Sequence, residues 1–158
     1  MNALILLAHG SRRSESNLEV ESLSNEIYAL ISNKFDFVEY AFLEMAEPSL
    51  MDSIDSLIKK NASKITIFPY FLNSGVHIKS DIPVIVEKAK VKYDNCTFKL
   101  TLPIGAYKGM AKLISEQINL SWYDFEVFNI LCWKYQINTT STIVSHILKY
   151  SWFFTLIC

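Results

Sequence analysis

The chain has 158 residues, of which 51% are hydrophobic and 20% charged, with a formal net charge of −1. That is the length of one domain, or one domain with an appendage, and enough apolar material for a core, which excludes a disordered chain. No basic excess or polybasic run is present, which excludes a surface built for a nucleic-acid backbone or an anionic membrane.

In chain order, "ALILLAH" (3–9) is a continuous apolar run, as expected of a strand buried on both faces. No basic residue precedes it, so it reads as a first strand and not as a secretory signal. After the polar loop "SRRSES", Ser16 and Glu19 fit a capping box, and Leu18, Leu23, Ile27, Leu30 and Ile31 predict a helix over 16–33. "FDFVEYAFLE" (35–44) predicts a second strand. Pro48 suits a first helical turn, and Leu50, Met51, Ile54, Leu57 and Ile58 line one face of a helix ending near Asn61. "KITIFPY" (64–70) predicts a third strand, and residues from Pro83 to Val91 a third helix. "TFKLTLPIG" (97–105) and "AYKGMAKLISEQI" (106–118) predict a fourth strand and helix. Strands alternating with helices imply an α/β three-layer sandwich around a four-stranded parallel sheet.

Composition changes near residue 118. All four glycines, all four prolines and 27 of the 31 charges lie in 1–118, whereas 119–158 holds all three tryptophans and ten of the 21 aromatics. Two segments are therefore expected: an α/β domain over 1–118 and an unassigned hydrophobic extension over 119–158. The extension is read either as native or as a frameshifted end. A membrane contact fits less well, because "STIVSHILKYSWFFTLIC" is short for a span and contains His146 and Lys149. Cys96, Cys132 and Cys158 form no CxxC pair, so neither a disulfide framework nor a thiolate cluster is expected, and a reducing cytoplasm is the expected compartment.

In a parallel sheet of this kind, ligands bind outside the carboxyl ends of the strands. Strand one ends in "AHGSRR", strand two in "LEMAEPS" and strand three in "PYFLNSGVHIKSD". His9, Glu44 and His77 thus follow three different strands at one edge. Two imidazoles and a carboxylate suit a loosely held divalent transition metal, and histidine also exchanges protons near neutral pH. A single loop histidine is usually only solvated; two beside glycines at one sheet edge make the metal reading competitive. Glu47 reads as a helix-capping acid. Arg12, Arg13 and Lys79 suit the carboxylates of an acidic ligand, against the alternative of a solvated loop face. GxGxxG, the P-loop pattern and GxSxG are all absent, so neither a nucleotide nor an α/β-hydrolase elbow is indicated. Cys96, before the fourth strand, reads as a half-buried small residue.

"LILLAHGSRRSESN", "FLEMAEPSL" and "PYFLNSGVHIKSDIP", in that order, resemble the class II chelatases, and most closely the short sirohydrochlorin chelatases. The resemblance covers residues 1 to about 117 and is carried by the three segments in combination. It implies insertion of Co²⁺ or Fe²⁺ into sirohydrochlorin in cobalamin or siroheme synthesis, with Ni²⁺ as a third choice. The divalent ion is then a substrate, and no tightly bound cofactor is expected. His9, His77 and Glu44 match the family's metal-binding and proton-accepting residues. Ser11, Arg12 and Lys79, with Ser74 and Gly75 of the third loop, match positions near the acidic macrocycle. A homodimer is also implied, with sirohydrochlorin as ligand and no nucleic-acid or membrane partner. Gly75 is expected to let the loop turn back so that His77 faces His9. The competing reading is a non-catalytic metal- or tetrapyrrole-binding module, or an inactive chelatase.

Overall fold

The computed structural model describes residues 1–73, 75 and 80–119. Its elements are β1 (Asn2–Ala8), α1 (Ser14–Ile31), β2 (Phe37–Phe42), α2 (Leu50–Lys59), β3 (Lys64–Pro69), α3 (Ile82–Lys92), β4 (Thr97–Leu100) and α4 (Met110–Asn119). The four strands form one parallel sheet in the order β2-β1-β3-β4. The apolar run of β1 fits this order: it lies between two strands, and Ala3 to Ala8 are all buried.

Side chains alternate along a strand, and this alternation sorts β1 into two faces. Ala3, Ile5 and Leu7 join Leu50, Ile54 and Leu57 of α2 and Ile82, Val86 and Ala89 of α3 in one buried cluster. Leu6 pairs in register with Tyr40 and Phe68 on the other face. Tyr40 there meets Glu21 of α1, and burial followed by that negative charge pushes its phenol pKa up. The result is three layers: α1, the sheet, then α2 with α3.

The helices depart from the sequence pattern in instructive ways. Ser16 and Glu19 form no cap, because α1 starts at Ser14 with Arg13 before it. Leu18 and Leu30 are exposed, while Val20, Leu23, Ser24, Ile27 and Ile31 turn inward. The inward stripe contains the polar Ser24, whose hydroxyl donates to the Glu21 carbonyl at 2.8 Å, so hydrophobicity alone assigns the wrong stripe. The capping box lies instead at α2. Ser49 and Asp52 cap each other's backbone N–H groups, and the Ser49 bond holds the Asp52 carboxyl below its ordinary pKa. Pro48 is not in the helix but precedes Ser49, after a cis peptide bond. β4 ends at Leu100 and gives way to a short 3₁₀ turn at Ile104–Ala106, so α4 begins only at Met110.

By its contacts the chain divides into two compact units, Met1–Met110 and Ala111–Cys158. The first holds the whole sheet and α1 to α3. The expected extension over 119–158 lies, from residue 120 on, outside the described residues, as does His146. No helix among the described residues is long and apolar enough to cross a membrane.

Candidate functional site

Beyond the carboxyl ends of β1 and β2 the chains remain hydrogen-bonded. The Leu43 N–H donates to the Ala8 carbonyl, and the Glu44 N–H donates to the His9 carbonyl, both at 2.9 Å. The paired register ends at Ala8 and Phe42, and one further backbone bond ties His9 to Glu44. His9 is half-buried and Glu44 exposed.

Gly10 makes this approach possible. Its φ is +93°, and a Cβ there would overlap the Glu44 carbonyl oxygen. That same oxygen accepts the Ala46 N–H at 2.8 Å, closing a tight turn over Met45, whose φ is +60°. A positive φ is uncommon outside glycine and costs of the order of 1–3 kcal/mol, so a strained turn presents Glu44. Below it, the Glu47 carboxylate accepts the Ser49 N–H at 2.8 Å, as an acid at a helix start should.

The loop after His9 is held by a residue the sequence pattern did not single out. Asn17 grips Ser11 at both ends of its backbone: its Oδ1 accepts the Ser11 N–H at 2.9 Å and its Nδ2 donates to the Ser11 carbonyl at 2.8 Å. The Ser11 hydroxyl accepts the Arg13 N–H at 3.1 Å, a local turn bond. Ser11 therefore shapes the loop, while Arg12 and Arg13 are exposed beside it. An Asn six residues after a Ser is no recognised signature, which is why pattern reasoning passed over it.

From β3, the Tyr70 N–H donates to the Leu7 carbonyl at 2.7 Å, and Phe71 follows. The Phe71 ring packs on the buried cluster and meets the His9 ring edge-on, with centroids 6.3 Å apart and planes at 72°. His77, Ser74 and Lys79 lie outside the described residues, as does the expectation that His77 faces His9. Gly75 is described: it is exposed, its φ is not positive, and a Cβ there would meet nothing within 4 Å. Its own φ therefore does not require glycine, and the turn-back expected of the loop falls on residues outside those described. Among the described residues no three His, Cys, Asp or Glu side chains come together as a metal site. Cys96 lies just before β4, at the far end of the sheet. It is half-buried, and burial pushes its thiol pKa up, which opposes thiolate chemistry.

A four-stranded parallel sheet covered by helices, with His9 and Glu44 tied by backbone beyond β1 and β2, defines an α/β protein. Residues 3–120 match the CbiX family, and the chain belongs to that family. It is 30% identical over 119 residues to the chloroplastic sirohydrochlorin ferrochelatase of Arabidopsis thaliana, a match covering 74% of this chain and 51% of that protein. It is 26% identical over 125 residues to the sirohydrochlorin cobaltochelatase of Saccharolobus solfataricus, covering 75% of this chain and 94% of that one. Among solved structures, the sirohydrochlorin chelatase SirB of Bacillus subtilis subspecies spizizenii, in complex with cobalt, superposes with a TM-score of 0.67 at 25% identity. That match covers 74% of this chain and 49% of SirB. The chain thus spans about half the length of the Arabidopsis and Bacillus relatives and nearly all of the Saccharolobus one.

Proposed function

We propose that this chain is a sirohydrochlorin chelatase that inserts Co²⁺, or alternatively Fe²⁺, into the macrocycle, with Ni²⁺ as a third candidate. The observation that carries the reading is the backbone pairing of His9 with Glu44 at the carboxyl edge of the sheet, in a chain of the CbiX family. The site proposed is His9, Glu44 and His77.

Metal insertion exchanges one divalent cation for two pyrrole N–H protons. The protein must hold the ion, give it up to four ring nitrogens, and receive the protons. Imidazoles and a carboxylate suit both tasks. Neutral imidazole binds iron, cobalt and nickel without the closed, tight grip of a tetrahedral thiolate site, and it accepts a proton near neutral pH. Glu44 adds negative charge that favours the incoming cation. Sirohydrochlorin bears many carboxylates, and Arg12 and Lys79, with Ser11, Ser74 and Gly75, are proposed to line its approach. A homodimer in the cytoplasm, with no tightly bound cofactor, completes the proposal. The α/β domain is proposed to act as the chelatase unit, with 119–158 as an appendage to it.

The test is the absorbance of excess sirohydrochlorin over time with Co²⁺ or Fe²⁺. Many turnovers per chain above the uncatalysed rate are expected. Conversion that stops at one equivalent would replace the enzyme with a metal- or tetrapyrrole-binding module.

A further inference from the structure

His9 is fixed by its backbone to β2, but its ring direction depends on something else. Among the described residues the Phe71 ring stands beside it, at 6.3 Å and 72°. Phe71 is itself held from two sides. Its side chain packs on the buried cluster, and its carbonyl accepts the Gly105 N–H at 3.0 Å. Gly105 also lies so close beneath the next residue that a Cβ there would overlap the backbone of Leu72. The chain after β4 thus clamps the 71–72 backbone from which the Phe71 ring projects.

We infer that Phe71 is a positioning residue for His9, acting on the metal through the imidazole and not by touching the ion. The inference rests on the proposed reading of His9 as a metal ligand. Edge-on aromatic contacts favour one mutual orientation over the rotamers they exclude. A ligand whose ring is already oriented loses less freedom on binding. Phe71 also begins the loop that carries His77, so the same ring joins the entry of that loop to the β1 loop.

The experiment is a Co²⁺ titration of the full chain, followed by the paramagnetic change in the His9 ring NMR signals, which His9→Ala assigns. Phe71→Leu keeps an apolar side chain without a ring, and Phe71→Tyr keeps the ring. Phe71→Leu is expected to need about three- to tenfold more Co²⁺ for the same change and to move the His9 ring signals of the metal-free protein. Phe71→Tyr should titrate as the wild type does. In turnover, the Leu variant should lower kcat and leave KM for sirohydrochlorin within twofold.

Equal Co²⁺ dependence in the wild type and Phe71→Leu would overturn the inference. So would a Leu variant that is unfolded at 25 °C, since the ring would then serve the core alone. If Co²⁺ leaves the wild-type His9 signals unchanged, the metal site itself falls, and this inference with it.

Discussion

The two ends of the same sheet are built differently. Toward the amino end, charged side chains pair between elements, and Asn61, just before β3, has a φ of +63°. Lys92 of α3 bonds both oxygens of Asp55 on α2, at 2.8 and 3.1 Å, and the Tyr93 hydroxyl donates to the same carboxylate at 2.7 Å. Lys60 reaches Glu39 at 2.7 Å, and the Asp36 side chain accepts the Asn2 N–H at 2.6 Å. At the carboxyl end, Gly10 and Met45 both have positive φ, and Arg12, Arg13 and Glu44 are exposed. Charge pairs between elements lie at the first end, and the groups proposed to meet an outside ligand lie at the second. A parallel sheet permits this division because every strand points the same way.

If the division is real, substitutions of the proposed ligands at the carboxyl end should cost activity, and substitutions of groups that only hold elements together should cost stability. The largest effect is expected at the proposed ligands. His77→Ala or Glu44→Gln should lower turnover by about 100-fold or more, the scale of losing a positioned proton-transfer or metal-binding group. The midpoint of urea unfolding should barely move. Gly10→Ala comes next and should damage both properties, because the added Cβ strains the φ of +93° and displaces the Glu44 carbonyl. A stability loss of about 1–3 kcal/mol is expected by denaturant titration, together with reduced turnover. Ser49→Ala removes a helix cap and should cost about 1 kcal/mol by the same titration.

The smallest effect is expected at Asp55, half-exposed in its bridge to Lys92. Asp55→Asn should cost about 0.5–1 kcal/mol at pH 7. The hydrogen bonds from Lys92 and Tyr93, together with the Lys92 charge, lower the Asp55 pKa from 3.8 in the fold. A depressed carboxylate contributes stability above its unfolded value and loses it as pH falls through the folded one. The gap between wild type and Asp55→Asn should therefore be constant from pH 7 to about 5 and close progressively below 3.8. Unfolding titrations at several pH values measure this.

Much of this fold could be read from the sequence, for physical reasons. An apolar run such as "ALILLA" has only a buried strand to occupy, and the alternation of strands with helices leaves a parallel sheet as the economical arrangement. The order β2-β1-β3-β4 was not legible, because it depends on which crossover lies on which face. Helix α1 shows where pattern fails: Leu18 and Leu30 carry apolar weight yet face out, while Ser24 is buried by satisfying its own hydroxyl. At the candidate site, His9 and Glu44 were legible as residues following adjacent strands. The means of holding them was not. Asn17 grips the Ser11 backbone six residues away, a spacing that is no recognised signature, and Phe71 meets His9 from a segment distant in sequence. Gly75 drew attention as a loop glycine, yet Gly10 and Gly105 are the positions where a side chain would collide with backbone.

The most direct test of the division pairs one residue from each end. Turnover of sirohydrochlorin and urea unfolding would be measured on His9→Ala and Asp55→Asn beside the wild type. The account predicts a crossed result: His9→Ala loses turnover and keeps its unfolding midpoint, while Asp55→Asn loses stability and keeps its turnover. Full activity in His9→Ala, or a loss of turnover in Asp55→Asn as large as that in His9→Ala, would contradict it.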